Sequence, residues 1–120
     1  MITDRRKYQR FNVDLPVLCK KRVYFISYDG EKGRAKNISS GGALVFTKEN
    51  IPALTSLKLI IHLIYLKKEI KAVAQVVKSE PIWSGYKLNL KFIKISEKDK
   101  KILSKDYLVK RPSKILDSNE

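Results

Sequence analysis

The sequence predicts an all-β domain with a terminal helix: a six-stranded antiparallel barrel followed by one C-terminal α-helix. Three features carry that reading. Apolar and polar residues alternate over much of the chain, the spacing of half-buried strands. Short segments of Gly, Ser, Asn and Pro punctuate those runs where turns belong. Only near the C-terminus does the apolar spacing change to that of a helix. A chain of 120 residues accommodates one domain with a modest core.

Residues 1–12 are polar, lack apolar periodicity and read as an extended arm. The barrel with its helix is assigned to 13–110, and 111–120 to a C-terminal tail. In "VDLPVLCK" (13–20), Val13, Leu15, Val17 and Cys19 share one strand face, and Pro16 suggests an edge or a bulge. "VYFISY" (23–28) stays strand-like up to the hairpin signal Asp29–Gly30. "KGRAKNI" (32–38) returns as the second strand, "SSGG" (39–42) breaks it, and "ALVF" (43–46) begins the third. After the loop 48–56, "LKLIIHLIYL" (57–66) is apolar on both faces and is expected to be covered on both. "KKE" makes a turn into "IKAVAQVVKSE" (70–80), where Ile70, Ala72, Ala74 and Val76 face one way. "PIWSG" (81–85) turns the chain again. "YKLNLKF" (86–92) then alternates cleanly, with Tyr86, Leu88, Leu90 and Phe92 inward. Ser96 suits a helix N-cap with Asp99 three residues on, and Ile102, Leu103, Tyr107 and Val109 recur at helical spacing before Arg111–Pro112.

The formal charge of +14 favours an anionic partner: nucleic acid, nucleotide, acidic membrane surface or acidic protein. Most of the 26 cations are lysines spread along the chain, which also suits a solvated surface. The charged N-terminus has no signal-like apolar run, and no stretch approaches the roughly 20 apolar residues of a membrane-spanning helix. A cytoplasmic protein without a transmembrane segment is expected. Cys19 lies in an apolar run and reads as a buried structural thiol. His62 lies in another, so the two make neither a metal site nor a catalytic pair. No carboxylate pair or Ser–His–Asp set stands out, and the chain is expected not to be an enzyme and to carry no cofactor.

Two polar segments stand apart. In "RKYQR", Arg6 and Arg10 are four residues apart, and Arg5 directly precedes them. A guanidinium binds phosphate oxygens in a fork, matches the O6/N7 edge of guanine and stacks on aromatic rings. In "NISSGG" (37–42), Asn37 and Ser39 offer hydrogen-bonding side chains, and Gly42 permits close backbone approach. Taken singly, each segment has an ordinary reading, as a basic arm and as a β-turn.

Together, R-x-x-x-R before a first strand and N-x-S-x-x-G after a second, followed by strands and a helix in this order, resemble a PilZ domain. The resemblance spans roughly residues 5–108, including "RFNVDLPV", "NISSGGALV" and "GYKLNLKF". It implies a PilZ-like barrel and a receptor for the bacterial second messenger cyclic di-GMP. In such a receptor the arm wraps over the barrel mouth. Arg6 and Arg10 would contact phosphates and guanines, Asn37, Ser39 and Gly42 would complete the pocket, and Arg5 would add a contact that accompanies binding of two intercalated ligands. Binding would change the arm's conformation and relay the signal to an unidentified effector protein in motility, adhesion, secretion or transcription. One position departs from the pattern: Asn89 stands where the family commonly carries glycine, and its side chain would either add a hydrogen bond or crowd a guanine.

Trp83 and Tyr8 are able to stack on bases, but packing at the rim and anchoring of the arm are their simpler roles. The lysine-rich helix reads as an amphipathic lid. The alternative function is a basic nucleic-acid-binding barrel, which would spread its contacts over many lysines and weaken steeply with salt. Nucleic acid is the less favoured partner, because the two-part motif on a matching strand order resembles a cyclic di-GMP receptor.

Overall fold

The computed structural model describes residues 10–21 and 30–104. Six strands, β1 (Phe11–Lys21), β2 (Glu31–Ile38), β3 (Gly42–Thr47), β4 (Ser56–Leu63), β5 (Lys68–Ile82) and β6 (Gly85–Ile95), precede one helix, α1 (Glu97–Leu103). They close a barrel in the order β1-β2-β3-β6-β5-β4, every neighbouring pair antiparallel, with β1 against β4 completing the ring. The predicted class therefore holds.

The period-two patterns supply the interior. Leu15, Val17 and Cys19 of β1, Leu57, Leu59, Ile61 and Leu63 of β4, and Leu88, Leu90 and Phe92 of β6 are buried. On β5 the inward row is Ile70, Ala72, Ala74 and Val76, where two small residues leave room for larger neighbours in a narrow barrel. Fully burying each Leu, Ile or Val stabilises the fold by about 1.5–3 kcal/mol before the entropy of ordering is subtracted. Ser96 caps α1, its side chain accepting from the Asp99 backbone N–H, and the helix adds Ile102 and Leu103 to the core. Among the described residues no helix is long and apolar enough to cross a membrane.

Boundaries differ from expectation in three places. β4 stops at Leu63, and the turn is Ile64–Lys67, closed by Leu66 N–H donating to Leu63 C=O at 3.0 Å, with Lys67 at φ 52°. Ile64, Tyr65 and Leu66 are consequently exposed, so the apolar run is covered on both faces only in part, at Ile60. β5 and β6 run on to a two-residue turn at Trp83–Ser84, with Ile82 opposite Gly85. β1 begins at Phe11, which pairs with Ile38 and is buried. The strand-like segment 23–28 and the expected helical residues 105–110 lie outside the described residues.

Bulges decide which residues face outward near the β2–β3 turn. β2 pairs with β3 as Ala35↔Val45 and next as Asn37↔Leu44, so Lys36 is an extra residue on β2. Ala35 and Ile38 both reach the core. Uninterrupted alternation from Ala35 would turn Asn37 inward and Ile38 outward; the bulge reverses the two. On β5, Val76↔Leu90 is followed by Lys78↔Asn89, which leaves Val77 unpaired and 56% exposed.

Candidate functional site

Four elements meet at a cleft of about 300 Å³ on the outer wall of the barrel. Arg10, Asn37, Ser39 and Gly42 line it, together with Val77, Asn89 and Lys91. Asn89 lies between the inward Leu88 and Leu90 and so faces out, opposite Leu44 of β3, which in turn pairs with Asn37. The predicted residues that are described thus converge, on the wall of the barrel rather than over its mouth. Arg5, Arg6 and Tyr8 lie outside the described residues.

Each side chain is held by an identifiable contact. Phe11 is anchored in the core, which fixes the exposed Arg10 beside the cleft. Asn37 Nδ2 donates to Asn12 Oδ1 at 3.3 Å across the β1–β2 pair. Ser39 is buried and spends its hydroxyl on its own turn: Oγ accepts from Gly41 N–H at 3.1 Å and donates to Gly42 C=O at 3.4 Å. Its backbone N–H donates to the same carbonyl at 2.9 Å, and Gly41 C=O accepts from Phe92 N–H at 2.9 Å, tying the turn to β6. Ser39 therefore sets the shape of the cleft floor through local bonding. Gly42 answers a sheet requirement, since a Cβ there would stand 2.2 Å from the Leu90 carbonyl oxygen.

The cleft is cationic. Arg10 and Lys91 line it, and among the described residues no carboxylate does. Nearby, Asp14 accepts from Arg34 Nε at 2.9 Å and Lys36 Nζ at 3.0 Å, so those two charges are already engaged. The Arg34 hydrogen bond, and then that of Lys36, hold the Asp14 carboxyl below its usual range. Sequence reading missed Lys91 and Val77. Lys91 was visible as the next outward residue after Asn89, whereas Val77 is exposed by a bulge that nothing in its sequence signals. Trp83 is fully exposed in the β5–β6 turn and does not line the cleft. Among the described residues no group of three His, Cys, Asp or Glu side chains is placed to hold a metal ion. Burial, then the Glu31 carboxylate, pushes the Cys19 thiol up to about 12.

Fold and cleft together define a small β-barrel with a polar, cationic binding surface built on its wall. Residues 4–108 match the PilZ domain family, and the chain belongs to it. Two solved structures share the fold. The Bacillus subtilis inhibitor of motility MotI/DgrA is 24% identical with a TM-score of 0.74, over 90% of this chain and 51% of that one. The PilZ domain of YcgR from Escherichia coli, determined with c-di-GMP, is 15% identical with a TM-score of 0.63, over 83% of this chain and 86% of that one. The chain thus spans about half the length of MotI/DgrA. No curated protein matches the sequence.

Proposed function

We propose that this chain is a non-enzymatic receptor for cyclic di-GMP that acts in the cytoplasm through an effector protein. One observation carries the reading: Arg10, Asn37, Ser39 and Gly42, the described part of the two-segment motif, line one cationic cleft. A cyclic dinucleotide brings two phosphates and two guanines. Arg10, with Arg5 and Arg6 preceding it, supplies forked donors for phosphate and for the guanine O6/N7 edge. Asn37 presents an amide for a base edge. Ser39 and Gly42 shape the floor, and Lys91 adds a charge at the far side. Asn89 supplies an amide where a glycine would leave space. Ligand that binds the ordered arm better than other arm conformations shifts the arm toward order, to the extent of that difference in affinity, and the altered surface reaches the effector.

Isothermal titration with cyclic di-GMP tests this. Binding is expected to fall at least about tenfold in Arg6→Ala, Arg10→Ala and Asn37→Ala, each of which removes a hydrogen bond to a charged or polar ligand group. A linear dinucleotide and a single-stranded oligonucleotide should bind weakly. Parental affinity in all three variants would sink the site, and preference for the oligonucleotide with a steep salt dependence would replace the receptor by a nucleic-acid binder.

A further inference from the structure

A second cationic surface adjoins the cleft. Strand register places Lys20, Lys58, Val73 and Lys94 in one row across β1, β4, β5 and β6. The flanking outward rows are Leu18–Ile60–Lys71 and Ser56–Gln75–Lys91. All of these alternate with inward core residues, so they share the outer wall. Lys20, Lys58, Lys71, Lys91 and Lys94 have no acidic partner among the described residues. Glu69 stands at the edge of the wall, 3.2 Å from His62. Like charges directly opposite one another, as at Lys20↔Lys58, destabilise a sheet, and here no interspersed carboxylate offsets them. At the β6 edge of the wall, a second bulge leaves Ile93 unpaired between Lys91 and Lys94 and 55% exposed.

We propose that this wall docks an acidic protein surface, with the lysines as the charged contact and Ile93, projecting at the β6 edge, as an apolar one. A second copy of the chain is disfavoured because the wall would face itself, lysine against lysine. A bilayer would need several apolar groups that protrude, whereas Ile93 projects alone, Ile60 is 8% exposed and Leu18 and Val73 are half-buried. Nucleic acid would be held through its phosphates alone, since among the described residues the wall carries no arginine fork or stacking aromatic to read a base. It would also leave the projecting Ile93 uncovered. An acidic protein face supplies carboxylates for the lysines and also covers the isoleucine that projects at the edge of the wall. This goes beyond the receptor reading and does not depend on it.

The test uses the ligand-free 120-residue chain, titrated with poly-L-glutamate, a glutamate–tyrosine copolymer, phosphatidylglycerol vesicles and duplex DNA. Amide shifts induced by poly-L-glutamate should concentrate on Lys58, Val73, Ile93 and Lys94. The triple variant K58E/K71E/K94E should lose about tenfold or more in affinity, and K32E/K48E/K98E, with the same change in net charge, about twofold or less. Ile93→Ser should weaken the copolymer and leave poly-L-glutamate unchanged. Equal losses in the two triple variants would reduce the wall to net charge and overturn the proposal. Wall-dependent binding confined to vesicles or to DNA would overturn the assigned partner. Because no dinucleotide is present, failure here leaves the receptor reading intact, and failure of the dinucleotide titration leaves this one intact.

Discussion

Replacing Gly42 by alanine forces two strands of the barrel apart, and the structure sets the size of the effect. The added Cβ meets the Leu90 carbonyl oxygen at 2.2 Å, whereas real Cβ contacts essentially never fall below 3.0 Å. The pair must therefore open by at least 3.0 − 2.2 = 0.8 Å. The oxygen belongs to the backbone and the Cβ position is fixed by it, so no side-chain rotamer relieves the clash. The shift falls on the Gly42↔Lys91 pair and strains the neighbouring Phe92 N–H to Gly41 C=O bond. Overpacking of this kind costs about 1–3 kcal/mol, and weakening one or two hydrogen bonds adds about 1 kcal/mol more, giving about 2–4 kcal/mol in all. Urea unfolding should show a lower midpoint at unchanged slope. A loss under about 0.5 kcal/mol would refute the steric reasoning. Full stability combined with lost dinucleotide binding would move the role of Gly42 from the sheet to the ligand.

Other expectations follow from the same geometry. Leu59→Ala, at a fully buried site on β4, should cost about 2–5 kcal/mol in urea unfolding, and a loss below about 1 kcal/mol would show that the barrel collapses around the gap. Cys19, fully buried with its thiol near 12, should resist iodoacetamide in native protein at neutral pH and react once unfolded, with mass spectrometry as the readout. Asp14 is held below its unfolded value by Arg34 and Lys36, so the folded state binds fewer protons there. Its contribution is present above the ordinary carboxylate value of 3.8 and is lost as pH falls through the lower folded value. The stability gap between parent and Asp14→Asn should therefore close on acidification, and a gap independent of pH would contradict the Arg34–Lys36 assignment.

The strands were legible wherever one face is buried and the other wet. "YKLNLKF" became β6 with Leu88, Leu90 and Phe92 inward, and Ser96 became the helix cap. "LKLIIHLIYL" misled because a run apolar on every position carries no period to mark its end. The backbone turned at Ile64, leaving Tyr65 and Leu66 exposed, for reasons of register with β5. The residues that line the candidate cleft were legible only as a joint pattern, since Ser39 and Gly42 also serve the turn and the sheet. The position of the cleft was not legible. Whether Asn37 or Ile38 faces outward depends on the extra residue at Lys36, and whether Val77 is exposed depends on another on β5. A bulge is a property of two paired strands, which neither strand's sequence specifies alone.

Closure of β1 onto β4 has a further consequence. Among the described residues, the stretches paired on both sides, such as 17–19 of β1 and 72–75 of β5, offer no free ladder of N–H and C=O groups to an incoming peptide. Residues 11–16 of β1 and 77–82 of β5, by contrast, lack a β4 partner. At the doubly paired stretches, capture by strand addition, a common route by which sheets acquire partners, would require breaking the ring first. Any protein that recognises the barrel there must read side chains.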